Sequence, residues 1–158
     1  YDDMAVIWFD AHGDFNTEST SPTRNLHGMP AAAAMGWCKS GLSSVAIKTI
    51  PPRNFFWIGV RDLDDGEKTF AAKSNLHIYS TEDVRQRGMT EILNEIIQIL
   101  QSNNISHIHL SIDIDGMDPS IVCGTGTKVD RGINNGQFYT FIDRIFSTNK
   151  VISADFVE

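Results

Sequence analysis

Four runs of apolar residues recur along the chain, and each is too continuous for a strand that buries only one face. The runs are Met4–Phe9, Phe55–Val60, His107–Ile114 and Val151–Val157. Runs of this kind are typical of parallel strands with both faces covered. The pattern therefore predicts four buried parallel strands, and Leu76–Tyr79 is a candidate for a further short strand.

Between these runs, the apolar residues take the spacing of amphipathic helices. One helix is expected between a cap at Thr90 and the pair Asn103–Asn104. Its apolar face consists of Ile92, Leu93, Ile96, Ile97 and Leu100. A second helix is expected after Asn134–Asn135. Its apolar face consists of Phe138, Phe141, Ile142, Ile145 and Phe146. Pro30, followed by four alanines and Gly36, predicts a third, short helix.

Strand and helix patterns thus alternate, which is the signature of a three-layer α/β/α fold around a mainly parallel sheet. The chain has 158 residues, 41% of them hydrophobic, and residues 1–158 are expected to form a single domain. In open sheets of this kind, ligands bind beyond the carboxyl ends of the strands. Residues that directly follow the apolar runs are therefore the candidates for chemistry.

Charge and cysteine content exclude several classes of protein. The formal charge of −7 and the dispersal of the 13 Lys and Arg residues argue against a nucleic-acid partner. Cys38 and Cys123 are the only cysteines and form no CxxC pair, which argues against a disulfide framework and a zinc-thiolate site. No apolar run is long enough for a membrane helix, and no signal-peptide pattern is visible. The chain is therefore expected to be cytoplasmic, with no membrane partner.

Acidic residues and one histidine follow two of the apolar runs. After the first run, Asp10, His12 and Asp14 occupy alternate positions, so an extended backbone points them the same way. After the third run, Asp113 and Asp115 alternate likewise. Carboxylates packed together raise each other's pKa and become protonated unless a cation binds them. These ligands would crowd one ion, so two divalent cations with shared carboxylates are expected, an arrangement that activates water at neutral pH.

Each of these acids could instead cap a helix or face water, which is common for a lone Asp-x-Asp pair. Both motifs together, each directly after a buried-type strand, favour the metal site. Ligands that are mostly oxygen, with a minor share of imidazole, suit Mn²⁺ better than a metal that prefers thiolates. Asp118 is better explained as a turn residue before Pro119.

The motifs resemble those of the ureohydrolase superfamily and, within it, of the arginases. The matching stretches follow the family order over nearly the whole chain. They are Asp10–Thr17, Ser21–Pro30, Ile58–Asp64, Ser111–Ser120, Gly124–Thr127 and Ser153–Glu158. The resemblance implies an arginase-like fold with two Mn²⁺ ions per subunit. It also implies a small guanidino substrate, L-arginine, which is hydrolysed to L-ornithine and urea.

The resemblance also implies which residue binds which ion. Asp10 and Asp113 resemble the carboxylates that contact both metals, Asp14 belongs to the first metal, and His12 and Asp115 belong to the second. The family pattern includes a further histidine upstream, which this sequence does not contain. The chain is therefore expected to be a fragment that lacks the N-terminal strand or strands and the C-terminal end of its domain.

The mechanism that the resemblance implies assigns roles to three residues. Activated water attacks the guanidinium carbon, and the amine is protonated as it leaves. Asp115 resembles the carboxylate that first takes the proton, and His27 resembles the proton shuttle at the mouth of the cleft. The alternative for His27 is a histidine that only bonds a loop carbonyl. Glu158 resembles the carboxylate that pairs with the guanidinium through two hydrogen bonds. The other histidines are expected to be structural: His77, His107 and His109.

The α-carboxylate and α-ammonium of arginine require polar groups at the rim of the site. Asn16, Ser21 and Thr23 resemble rim residues that contact the carboxylate, and Asp64 resembles the one that contacts the ammonium. Thr127 is also expected to bind substrate. A loop of Ser, Thr, Pro and Asn is by itself a routine turn, so these assignments rest on the resemblance.

The sequence departs from the arginase pattern in three places. Thr23 replaces the more usual serine but keeps the hydroxyl. Arg24 stands where glycine is usual, and its cation either assists carboxylate binding or faces solvent. Residues 128–135 differ from a segment that contributes to subunit contacts in relatives. A homo-oligomer is expected, but this difference puts the trimer common among arginases in doubt.

Two alternatives to an arginase stay open at this point. Agmatinase and formimidoylglutamase share the metal site of the superfamily and differ from arginases at the rim. A catalytically silent metal-binding paralogue, acting as a partner or regulator, belongs to a different class of function.

Overall fold

Five parallel strands form one sheet in the structure, a computed structural model that describes residues 3–39, 41–44 and 47–158. The strands are β1 (Met4–Phe9), β2 (Phe55–Val60), β3 (His77–Ser80), β4 (His107–Asp113) and β5 (Val151–Val157). Their order across the sheet is β3-β2-β1-β4-β5. All four predicted strands are present within a residue of their expected bounds, and the candidate short strand is β3.

Within the described residues, six α-helices connect these strands. They are α1 (Pro30–Ala34), α2 (Gly41–Ser44), α3 (Asp65–Ser74), α4 (Thr81–Arg87), α5 (Met89–Ser102) and α6 (Asn135–Phe146). Three single turns of 3₁₀ helix occur at Leu26–Gly28, Pro52–Asn54 and Ile114–Gly116. None of the helices in the described part of the chain has the length and apolar character needed to cross a bilayer.

Helices pack against both faces of the sheet, because side chains of a strand point alternately to opposite faces. On one face, Ile7 and Phe9 of β1 share a buried cluster with residues of α4, α5 and α6. On the other face, Val6 of β1 and Trp57 of β2 share a cluster with the buried alanines of α1. The prediction of a three-layer α/β/α fold with a parallel sheet is confirmed.

The helix ends confirm some expectations and correct others. The helix expected after Asn134–Asn135 is α6, and Asn134 caps it, since its side chain accepts a hydrogen bond of 2.9 Å from the amide of Gln137. The cap predicted at Thr90 is wrong: α5 begins at Met89, and Gly88, with a φ of 85°, occupies the cap position. Phe146 of α6 is 50% exposed, so it does not belong to the buried face of that helix.

The core around α6 gives a test of the packing. Phe141 is fully buried and stacks on Phe9 with ring centroids 5.1 Å apart. Phe141→Ala is expected to lower the free energy of unfolding by about 3–5 kcal/mol, because the cavity left behind cannot fully collapse. Tyr139→Ala, on the same helix but 71% exposed, should change it by less than about 0.5 kcal/mol. Urea unfolding followed by circular dichroism measures both values, and equal losses would contradict the packing described here.

Candidate metal centre

Strand register places the predicted ligands at one edge of the sheet. β1 and β4 are neighbours, with Phe9 paired to Ile112, so Asp10 and Asp113 come next on each strand. Asp113 is in turn paired with Val157 of β5, and Glu158 follows. Parallel strands end at the same edge, so residues far apart in sequence are brought together there.

Asp10, His12 and Asp115 form a first group, whose ligand atoms all lie within 4.8 Å of one another. His12 Nδ1 lies 3.1 Å from Asp115 Oδ2 and 3.3 Å from Asp10 Oδ1. Both acids are buried: Asp10 is 1% exposed and Asp115 is 3% exposed. Backbone amides also bind them: His12 N donates to Asp10 Oδ1 at 2.7 Å, and Ala11 N donates to Asp115 Oδ1 at 3.1 Å.

Asp113, Asp115 and Glu158 form a second group of the same compactness, which shares Asp115 with the first. Asp113 Oδ1 accepts a hydrogen bond of 2.9 Å from the Asp115 amide. Glu158 Oε2 accepts one of 2.7 Å from the amide of Gly126, which joins the end of β5 to the loop after β4. The two groups together form an acidic ridge along the carboxyl ends of three neighbouring strands.

Asp14 lies close to this ridge but belongs to neither group. Its backbone adopts a left-handed conformation, with a φ of 55°. Gly13, just before it, has no room for a side chain, because an added Cβ would lie 2.5 Å from a ring carbon of Phe15. Burial and the charge of Asp10 raise the pKa of Asp14 to about 8.

Without a cation, the electrostatics of the site favour bound protons. Hydrogen bonds to Asp10 and Asp115 raise the pKa of His12 to about 10. Burial, together with the charges of Asp10 and Asp115, raises the pKa of Asp113 to about 7. Burial also raises the pKa of Asp10. Burial alone would raise the pKa of Asp115 too, but hydrogen bonds from His12 and the Ala11 amide lower it below its ordinary value.

These donors fit a hard divalent cation. The two groups contain carboxylate oxygens and one imidazole. Neither cysteine takes part in them, since Cys38 lies in the core cluster on the face of α1 and Cys123 is exposed. Buried carboxylates that must otherwise hold protons are compensated by a positive ion. The arrangement is therefore a candidate metal centre for an oxygen-preferring ion.

The predicted rim residues lie in two different environments. Asn16 is 4% exposed, and its Nδ2 donates to Asp64 Oδ2 at 2.7 Å. Asp64 also caps α3 in a reciprocal arrangement with Glu67. Ser21 and Thr23 occupy the loop before the first 3₁₀ turn, where their hydroxyls accept hydrogen bonds from nearby backbone amides. Of the predicted rim residues, Asn16 and Asp64 are thus in direct contact through a hydrogen bond.

His27 and Thr127 also differ in their relation to the acidic ridge. His27 lies in the exposed 3₁₀ turn Leu26–Gly28 and is not a member of either acidic group. Thr127 donates from its hydroxyl to Asp115 Oδ2 at 3.0 Å. The structure therefore brings Thr127 directly against the candidate metal centre.

The remaining histidines lie elsewhere on the sheet, as expected. His77 stacks on Phe56, with ring centroids 4.8 Å apart. His107 Nδ1 lies 3.0 Å from Asp3 Oδ2. His109 bonds Ser153 and Asp155 of β5 at 2.8 Å each. None of the three belongs to the acidic groups.

Sequence reasoning missed three residues that support the site. Trp8 Nε1 donates to Asp10 Oδ2 at 2.9 Å, and its position two residues before Asp10 on a strand was the available signal. Glu67 is 4% exposed and accepts hydrogen bonds from the amides of Phe15 and Asp64; the Asp64-x-x-Glu67 capping spacing could have revealed it. Arg61 lies inside a matched motif but had been given no role.

Comparison with known proteins identifies relatives along the whole chain. A sequence model of the Arginase family matches residues 1–158. The arginase of Bacillus caldovelox is 39% identical over 160 aligned positions, which cover 100% of this chain and 53% of that protein. The chain thus spans about half the length of the curated relatives it matches.

Solved structures of arginases have the same fold. The arginase of Bacillus subtilis subsp. subtilis str. 168, solved at 1.7 Å, is 37% identical with a TM-score of 0.94, over 100% of this chain and 55% of that one. Entamoeba histolytica arginase, solved in complex with L-ornithine, is 37% identical with a TM-score of 0.93, over 98% of this chain and 52% of that one. Since the family model matches residues 1–158, the chain belongs to the arginase family.

Proposed function

We propose that the chain carries the metal centre of an arginase, which hydrolyses L-arginine to L-ornithine and urea with two Mn²⁺ ions. One observation carries the proposal. Two acidic groups that share Asp115 converge at the carboxyl ends of neighbouring parallel strands, in a chain of the arginase family. A relative solved with L-ornithine holds the amino acid that the proposed reaction releases.

In this proposal, Asp10 and Asp113 would contact both ions, Asp14 the first, and His12 and Asp115 the second. The ligand atoms of each group lie within 4.8 Å of one another and Asp115 joins the two groups, which supports two ions held close together. When bound, the ions would provide a nucleophilic water at neutral pH. The cytoplasmic location and the homo-oligomer expected from the sequence stay predictions.

The proposed catalytic residues are Asp115, Glu158 and His27. Glu158 would pair with the guanidinium group of the substrate, and its closeness to Asp113 and Asp115 would hold the guanidinium carbon beside the metal ligands. Asp115 would take the proton from the attacking water. His27, exposed on its 3₁₀ turn, would exchange protons between solvent and the leaving amine.

Substrate selection is assigned to the rim and to Thr127. Asp64 would bind the α-ammonium of arginine, while Asn16, Ser21 and Thr23 would bind its α-carboxylate. The hydrogen bond from Asn16 to Asp64 supports this division, because it holds the two side chains next to each other. Thr127 would bind on the substrate side while it donates to Asp115.

Manganese binding is expected to release protons. At pH 7, His12 (pKa about 10) and Asp14 (pKa about 8) hold protons in the absence of metal, and ligands must lose them to bind an ion. Affinity should therefore rise with pH, by about tenfold per unit for each proton released, between about pH 7 and pH 10. Calorimetric titration in buffers of different ionisation enthalpy measures the number of protons released when Mn²⁺ binds. An affinity independent of pH would contradict the electrostatics described above.

Asp113→Asn keeps the shape of the side chain and removes a charge proposed to touch both ions. Arginine hydrolysis is expected to fall by more than about 100-fold, because changes in outer-shell partners alone cost about 10–100-fold. Asp143→Asn is the matched control, since Asp143 is exposed on α6, away from the ridge. Urea release measures both variants, and an Asp113→Asn enzyme of normal activity would refute the metal assignment.

Comparison of substrates separates arginase from its superfamily rivals. Agmatine lacks the α-carboxylate of arginine but keeps the amine. Ser21→Ala with Thr23→Ala should therefore lower kcat/KM for arginine by about 100-fold, about tenfold for each of the two hydrogen bonds to a charged group, and leave kcat/KM for agmatine unaffected. Asp64→Asn should lower kcat/KM for both substrates, because both carry the amine that Asp64 is proposed to bind. If the unaltered protein preferred agmatine or N-formimidoyl-L-glutamate to arginine, the arginase proposal would be wrong and the chain would be assigned to an agmatinase or a formimidoylglutamase.

A further inference from the structure

Arg61 directly follows β2, and its guanidinium reaches the turn that carries Asp115. Nη2 donates to the carbonyl oxygens of Asp115 at 2.8 Å and Met117 at 3.2 Å. Nη1 donates to the carbonyl oxygen of Gly116 at 3.1 Å. The backbone of the turn after β4 is thus held by a side chain from a different strand.

The same guanidinium also binds the loop between β4 and α6. Nε donates to the carbonyl oxygens of Val129 and Asp130, at 3.2 and 3.1 Å, and Nη2 donates to that of Val129 at 2.7 Å. The remaining bond, from Nη1, goes to the carbonyl oxygen of Gly59 at 3.1 Å. Every hydrogen-bond acceptor found for this guanidinium is a backbone carbonyl, and the planar fork of donors suits this use.

The turn and the loop that Arg61 binds each contain a residue of the candidate metal centre or in contact with it. The turn contains Asp115, which belongs to both acidic groups. The loop contains Thr127, whose hydroxyl donates to Asp115 Oδ2. The fit between them is close, because a Cβ added to Gly132 would lie 2.4 Å from the carbonyl oxygen of Met117. A shift of either segment would therefore move the Asp115 carboxylate relative to its partners.

We propose that Arg61 is a positioning residue of the metal centre, which fixes the Asp115 turn against the Thr127 loop so that the Asp115 carboxylate keeps its ligand geometry. The inference rests on the proposed function, and it concerns Arg61 acting through Asp115 and Thr127. Lysine keeps the charge of Arg61 but cannot span two segments, because it lacks the planar fork.

The test compares manganese binding by the unaltered protein and by Arg61→Lys, with Mn²⁺ alone as the probe. Affinity, measured by calorimetry and electron paramagnetic resonance, is expected to fall about 10–100-fold, the usual effect of losing an outer-shell partner. Arg87→Lys is the matched control, since Arg87 is exposed and pairs with Glu91 and Glu95 of α5. This variant should bind Mn²⁺ with the affinity of the unaltered protein. A folded Arg61→Lys variant with unchanged affinity would overturn the inference.

Thr127→Val provides a second variant. If Arg61 acts through the loop, the losses in affinity from Arg61→Lys and Thr127→Val should not add in the double variant; additive losses would count against the inference. An Arg61→Lys protein that folds only with Mn²⁺ present would support it, and one that stays unfolded at saturating Mn²⁺ would overturn it in favour of a general structural role. An unaltered protein that binds no Mn²⁺ would overturn the proposed function itself.

Discussion

Repulsion between buried carboxylates is the constraint on which this molecule depends. Asp10 and Asp115 are almost fully buried, and Asp113 lies next to both. Like charges this close in a partly dry environment cannot all be ionised without compensation. Burial first, and then the negative charges of neighbouring carboxylates, raise the pKa values of Asp10, Asp14 and Asp113. A cation resolves this conflict, which is why a fold that gathers these acids implies metal chemistry.

The fold tolerates the conflict because each carboxylate has hydrogen-bond donors of its own. Trp8 and the His12 amide bind Asp10, while the Ala11 amide and Thr127 bind Asp115. Charge-assisted hydrogen bonds of this kind stabilise a buried anion and fix its direction. The acids are thus positioned by the sheet edge and its loops before any ion is considered.

The two halves of the sheet differ in what covers them. On the face of α1, β1 and β2 contribute Val6 and Trp57 to a buried apolar cluster. On the same face of β4 and β5, His109, Ser111 and Asp155 form a hydrogen-bonded polar network. The apolar half belongs to the strands that Asp10 and Arg61 directly follow, and the polar half belongs to the strands that lead to Asp113 and Glu158.

The sequence by itself determined the strands, the apolar faces of α5 and α6 and the alternating ligands after β1 and β4. These features are local: the hydrophobic period and the alternate positions on an extended backbone need no knowledge of the rest of the chain. Asp10, His12 and Asp115 could be singled out for the same reason. The start of α5 was misjudged because Thr90 and Gly88 both suit a helix end, and α3 and α4 were overlooked although their capping residues were visible.

Only the tertiary structure decided which distant residues meet. The order β3-β2-β1-β4-β5 places Asp113 beside Asp10 and Glu158 beside Asp113, and sequence spacing does not encode that order. The carbonyl contacts of Arg61 were equally hidden, because their acceptors are backbone atoms that every residue has. Such contacts depend on how loops pack in three dimensions, whereas propensity and periodicity report only on near neighbours along the chain.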